Sequence, residues 1–271
     1  RLPAVSRDDW LARMGRGEVV DELGQAVPPH TPYQGGQRLY YWRCLPDEPQ
    51  VPFEAQVLFQ DEHLLVADKP HFLPVTPSGR FVHQTLLVRL KRAPGIDTLS
   101  PLHRIDRETA GLVVFSVRPQ DRGAYQALFR DRAVDKVYEA IAASTPDWSG
   151  PHVHRSRIVE DPSAFYRMIE ADGEPNSHTR IERVEQNGPW ARYRLEPLTG
   201  KRHQLRVHMN ALGLPICADQ FYPVVRRGPG APEDYADPLR LLAHTIAFTD
   251  PVTGAHRQFE SRLGLSWPAP L

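Results

Sequence analysis

Apolar positions along this chain come in short runs closed off by charged or turn-forming residues. Val57-Leu58-Phe59 and Leu64 to Ala67 flank a polar turn at Asp61-Glu62, and Leu112 to Phe115 follows Gly111. Such runs predict buried strands. Leu86, Leu87 and Leu90 recur at helical spacing with Arg89 and Arg92 on the exposed side. Residues 118–134 read as an amphipathic helix, with Ala124, Leu128 and Phe129 inward and Arg122, Arg130 and Arg132 outward. Lys136 to Ile141 alternates as a strand and sends Lys136 and Tyr138 to one face. From 152 to 198, HVHRSRIVE, AFYRMIEA, SHTRIERVEQ and WARYRLEPL predict antiparallel strands. After Gly200 the period changes. Leu205, His208, Met209 and Leu212 mark a helix stopped by Gly213, with Arg202 and Arg206 sharing another face. Residues 226–238 read as a loop, and LRLLAHTIAFTDPVTGAHRQFES as strand, turn, strand. Many strands with few helices, and no βαβ repetition, predict an α/β or α+β domain with a mixed sheet.

Residues 1–50 stand apart from 51–271. A short helix capped by Asp8 runs through Met14, then a GEVV strand, a Gly-Gly turn and an aromatic strand from Leu39 to Trp42.

Composition narrows the class. At 271 residues, with 41% hydrophobic and 24% charged content, a folded core is expected and disorder is not. The formal net charge is zero, which argues against a general polyanion binder. The distribution changes that reading, because residues 80–136 carry eleven Lys or Arg against six Asp or Glu. A local basic patch fits a nucleic-acid footprint. Cys44 and Cys217 are far apart and have no metal-like spacing. The first twenty residues lack a signal-peptide core, and no run of eighteen apolar residues predicts a membrane span. A soluble, cytoplasmic protein is expected.

Nucleotide and hydrolase motifs are absent: there is no GxGxxG, no GxxxxGK[ST], no HEXXH and no G-x-S-x-G. No metal or cofactor is expected. One segment draws attention instead, PLHRIDRETAGLVVFS, where Asp106 sits among His103, Arg104 and Arg107 at the mouth of a buried strand. It reads either as a surface turn with ordinary ion pairing or as a carboxylate kept ionised by arginine for nucleophilic work.

Five ordered segments carry a family resemblance. HRIDRETAGLVVFS, LLVADKPHFLPVTP, KVYEA, GKRHQLRVHMNALGLPICAD and LRLLAHTIAFTDPVTG resemble those of the RluA-type pseudouridine synthases, over most of residues 55–262. The resemblance implies a central, mostly antiparallel mixed sheet flanked by helices and loops, and isomerisation of specific uridines in ribosomal or transfer RNA. It implies Asp106 as nucleophile, Tyr138 against the target base and Arg206 paired with Asp106. Arg104 would enter the RNA helix as the target leaves it. Lys136, His203 and Arg107 would contact substrate, and Leu242 would lie at the pocket wall. The basic band of Arg89, Lys91, Arg92, Arg122, Arg130 and Arg132 would meet phosphates. The enzyme would act on structured RNA as a monomer, without a membrane. Residues 10–43 resemble a reduced S4-type RNA-binding domain.

Three departures stand out. His71-Phe72 occupies a place where many members have Gly, Ala218 replaces Gly before Asp219, and Ala243 and Thr245 change the RLxLHA segment. Two other readings compete: an inactive RNA-binding or ribosome-assembly protein of the same fold, and a hydrolase pairing Asp106 with a second carboxylate such as Glu108.

Overall fold

The computed structural model describes residues 6–41, 48–92, 95–146, 148, 150–228, 231–232 and 234–269. The chain divides into two compact units, Arg1–Asp47 and Glu48–Leu271. In the first, helix α1 (Arg7–Gly15) is capped by Ser6, whose hydroxyl oxygen accepts the Asp9 N–H at 3.1 Å. Asp8, the expected cap, lies inside the first turn, where its charge suits the helix dipole. Strands β1 (Val19–Val20) and β2 (Tyr40–Tyr41) form a two-residue antiparallel ladder. Trp42, read as the end of that strand, and Cys44 lie outside the described residues.

The second unit opens at Glu48, whose carboxylate accepts the N–H groups of Val82, His83 and Gln84. Its elements are β3 (Gln56–Gln60), β4 (Leu64–Lys69), α2 (Leu86–Arg92), β5 (Ser100–Pro101), β6 (Ala110–Ser116), α3 (Arg122–Arg130) and β7 (Asp135–Ala143). There follow β8 (His152–Glu160), β9 (Met168–Ala171), β10 (Ser177–Asn187), β11 (Trp190–Pro197), α4 (Gln204–Ala211), β12 (Leu241–Thr249) and β13 (His256–Glu260). One sheet runs β3-β4-β6-β12-β7-β11-β10-β8-β9, with β5 added on β6 and β13 on β12. Among the described residues every pairing in it is antiparallel except β6 with β12. This is the mostly antiparallel mixed sheet the resemblance implied.

Strands β4 and β6 are buried along their whole length. Leu65, Ala67, Val113 and Phe115 pack with Leu86 and Leu90 of α2, while Leu64, Val66, Leu112 and Val114 pack with Tyr125 of α3 and Phe248. Covering both faces removes the need for alternation, which is why these strands read as unbroken apolar runs.

Two helical side chains are placed otherwise than expected. In α3 Leu128 and Phe129 pack inward as expected, but with Tyr125, fully buried and its hydroxyl donating to Asp250 at 2.8 Å, while Ala124 is exposed. A phenol with a buried acceptor fills the core better than a methyl. In α2 the Arg89 guanidinium turns back to the carbonyls of Val51 and Phe53, at 2.7 and 2.6 Å, instead of facing solvent.

The parallel pair sets up the site. β6 and β12 match at only two places, Ala110 with Leu242 and Gly111 with Ala243. Beyond them β12 pairs with β13, while Leu102 and His103 take up the vacated edge of β6. The Leu102 N–H reaches the Val114 carbonyl at 2.9 Å, and the His103 Nε2 accepts the Val114 N–H at 3.1 Å. Gly111 has φ +109°, and a Cβ there would lie 2.2 Å from the Ala243 carbonyl oxygen. Only glycine lets the two strands approach this closely.

Candidate active site

Asp106 lies on the segment between β5 and β6, and that segment is pinned from several sides. Ile105 packs into the core beneath α2. The Asp106 carbonyl accepts the Thr109 N–H at 3.1 Å, and a His71 ring nitrogen meets the Glu108 carbonyl at 2.7 Å. Lys69, completely buried at the end of β4, donates to the Pro70 and Arg107 carbonyls at 2.9 and 3.1 Å.

Arg206 reaches Asp106 from α4. The chain turns into this helix at His203, with φ 54°, and Gln204 through Met209 are all buried. The Arg206 side chain is 1% exposed. Its Nε and Nη2 donate to Asp219 at 2.8 and 2.7 Å, and its Nη1 donates to Asp106 Oδ2 at 3.2 Å. The rings of Phe221 and Tyr222 lie 5.0 and 5.4 Å from the guanidinium carbon. One fork thus binds a carboxylate bidentately and leaves a single arm for a second.

Burial pushes the Asp106 carboxyl up, but His203, Arg206 and Lys69 outweigh it and hold the pKa below the ordinary value. His203 is itself pushed down to about 4 by burial, so it is neutral at pH 7. At neutral pH the charge that keeps Asp106 ionised therefore comes chiefly from Arg206. Tyr138 projects from β7. Burial first, then the Asp106 charge, raises its pKa and keeps the phenol neutral. Burial lowers the pKa of Lys136 on the same face.

These groups line a cleft of about 1600 Å³. Small-molecule clefts run to roughly 300–1,000 Å³. Its walls carry nine Lys or Arg against five Asp or Glu, a cationic surface on a neutral chain. Asp106, Tyr138, Arg206, Arg104, Lys136, His203 and Arg107 all contribute to it. Arg104 is exposed at the wall, while Arg107 lies over the Phe81 ring at 5.0 Å.

Some expectations fail here. Leu242 is fully buried among Ala110, Ile141 and Leu265, and strand alternation gives the cleft wall to Leu241 instead. Arg202 precedes α4 and is 42% exposed, so it shares no helix face with Arg206. Of the basic band only Arg130 and Arg132 line the cleft, since Arg89 and Arg122 turn to backbone carbonyls. Glu108 does not line it and sits 3.4 Å from the Arg107 Nε, so it is not placed to be the second carboxylate of the hydrolase reading.

Asp219 and Lys69 had no role in the sequence reading. Both stand inside family-like segments, ICAD and ADKP, but nothing local marks a side chain as a partner of a residue far along the chain. Lys69 gives a measurable signature. Burial lowers its pKa to about 7, against about 10.4 when unfolded. Between those values the unfolded chain binds the extra proton, so this group makes stability rise with pH, by at most about 1.4 kcal/mol per unit. Chemical denaturation of wild type and Lys69→Met from pH 7 to 9 is expected to show the wild type gaining relative to the variant. Parallel profiles would contradict a lowered pKa.

Among the described residues one group has metal-ligand chemistry: His154, Glu170 and His208, with ligand atoms within 4.8 Å of one another. Hydrogen bonds already engage it. His208 meets Thr179 at 2.9 Å through Nδ1 and Ser177 at 2.9 Å through Nε2, and His154 meets Glu170 at 2.7 Å. None of the three lines the cleft.

A family model described as RNA pseudouridylate synthase matches residues 63–211. An RNA pseudouridine synthase of Synechocystis sp., described as uncharacterized, is 33% identical over 227 residues, covering 83% of this chain and 75% of that protein. The dual-specificity RNA pseudouridine synthase RluA of Escherichia coli is 31% identical over 217 residues, covering 79% of this chain and 94% of RluA. The solved human RNA pseudouridylate synthase domain containing 1 shares the fold, with TM-score 0.63 and 22% identity over 79% of this chain and 85% of that one. This chain therefore belongs to the RNA pseudouridylate synthase family. It is an enzyme that binds structured RNA and isomerises uridine to pseudouridine through an aspartate nucleophile.

Proposed function

We propose that Asp106 is that aspartate and that the enzyme modifies specific uridines of ribosomal or transfer RNA, acting as a monomer in the cytoplasm. The observation that carries the assignment is the Arg206 guanidinium, buried and held by Asp219, with its remaining arm on Asp106 at 3.2 Å. A carboxylate so held stays anionic in a partly dehydrated site. The reaction breaks the C1′–N1 bond of one nucleotide and forms C1′–C5. The C5 proton leaves and N1 gains one, so no electron carrier is needed. Asp106 assists release of the base, and the Tyr138 ring packs on it while it turns. The Tyr138 hydroxyl relays the departing C5 proton, releasing its own as it takes that one. The target must leave its stack to reach Asp106, at a cost of a few kcal/mol. Arg104 fills the vacated space, and Lys136 with the other cleft cations meets the backbone.

Pseudouridine mapping of total RNA from the source organism, with and without the gene, tests the target. Loss of one site or a few, restored by wild type and not by Asp106→Ala, is the expected result and names the RNA. An unchanged map would leave the inactive-binder reading in place.

A further inference from the structure

A second aromatic feature lies next to the cleft, on the loop joining β8 to β9. The loop is tied down: the Asp161 carboxylate accepts the Ser163 N–H and hydroxyl at 2.8 and 2.6 Å, and the Arg167 N–H meets the Ala164 carbonyl at 2.7 Å. Arg202, a cleft residue, donates to the Phe165 carbonyl at 2.6 Å. This ordered loop holds the Phe165 ring in solvent, 76% exposed.

A lone exposed ring calls for no account, but this one ends a series. Phe165 meets Tyr166 edge-on at 5.4 Å, Tyr166 meets Phe221 at 5.3 Å, and Phe221 stacks on His203 at 5.7 Å and 26°. The His203 Nε2 is 3.9 Å from Asp106 Oδ2. The rings therefore lead from the carboxylate to the surface in contact with one another. Cations flank the outer end: Lys201 is exposed, and Arg202 is 42% exposed with Glu160 at 3.8 Å. An exposed, pre-positioned ring beside cations is what an unpaired base and its phosphate require.

We propose that Phe165 is a stacking platform for an unpaired nucleobase of the RNA substrate, flanking the target uridine, with Lys201 and Arg202 facing the adjoining phosphate. This extends the reading of Asp106 as the catalytic carboxylate and rests on it for the location of the target. The platform selects RNA by an unstacked neighbour and not by base identity, because every base offers a π-face.

The test uses total RNA carrying C5-tritiated uridine from a strain lacking the gene, with tritium release as the rate. Phe165→Ala and Phe165→Leu are expected to raise KM about tenfold, the scale of one lost base stack, with kcat within about twofold. Phe165→Trp is expected to keep wild-type kinetics and to show quenched indole fluorescence on RNA binding. That binding signal needs no turnover, so it reads the platform even if Asp106 proves dispensable. Wild-type KM in Phe165→Ala, or in Phe165→Leu alone, would overturn stacking. So would unquenched fluorescence in Phe165→Trp with RNA bound. Phe165 is exposed, so unchanged melting curves are expected to accompany the KM effect, and a matching stability loss would assign it to folding.

Discussion

Purified Asp106→Asn is expected to lose pseudouridine formation by roughly 10⁴-fold or more, the scale seen when a nucleophile is removed from a cooperating site. The change keeps the shape of the side chain and removes its charge. Arg206 retains its two bonds to Asp219, so the buried cation is not left unpaired. Stability is therefore expected to stay within about 1–2 kcal/mol of wild type, and RNA affinity to persist. Tritium release from C5-labelled RNA measures the loss, and a melting curve checks the fold. Activity above about 1% of wild type in Asp106→Asn would remove this residue from the nucleophile's role. The control matters because the same pocket serves as an RNA-binding surface. A variant that fails to bind would lose activity for a different reason.

The largest stability effect is expected at Gly111→Ala. Two penalties combine there, a backbone at φ +109° and a Cβ placed 2.2 Å from the Ala243 carbonyl oxygen. The obstacle is backbone, so no rotamer change relieves it. Moving it means separating β6 from β12 where they have only two matched pairs. A cost on the order of 3–5 kcal/mol is expected, about 10 °C in melting temperature. Gly213→Ala isolates the conformational part, since Gly213 has φ +74° and open space where its Cβ would go. That variant is expected to cost about 1–2 kcal/mol. Equal losses in the two would show that strand contact contributes nothing.

The strands were legible in the sequence wherever one pattern controlled them. β10 and β11 followed alternation, and β4 and β6 followed apolar runs. The placement of Tyr125 over Ala124 was not legible, because the deciding partner, Asp250, is 125 residues away. Two departures from the family pattern gained a physical meaning only in three dimensions. Phe72 and Ala218 both have positive φ, 67° and 62°, where glycine would be unstrained. The Phe72 ring offsets its cost by packing between Phe53 and Tyr235, at 5.9 and 5.2 Å. Nothing in the structure explains Ala218. The family resemblance brought Asp106, Tyr138 and Arg206 forward as candidates. It could not give Asp219 its place behind Arg206, since a bidentate pair is a fact of side-chain geometry.

The order of the paired groups along the chain has a consequence for engineering. Asp106 and Tyr138 precede β8 in the chain, whereas Arg206 and Asp219 follow it. A cut between β7 and β8 would put the carboxylate on one fragment and its guanidinium on the other. Neither piece would hold both Asp106 and Arg206, so turnover would return only on reassociation. The fold thus offers a split enzyme whose chemistry reports the meeting of its halves.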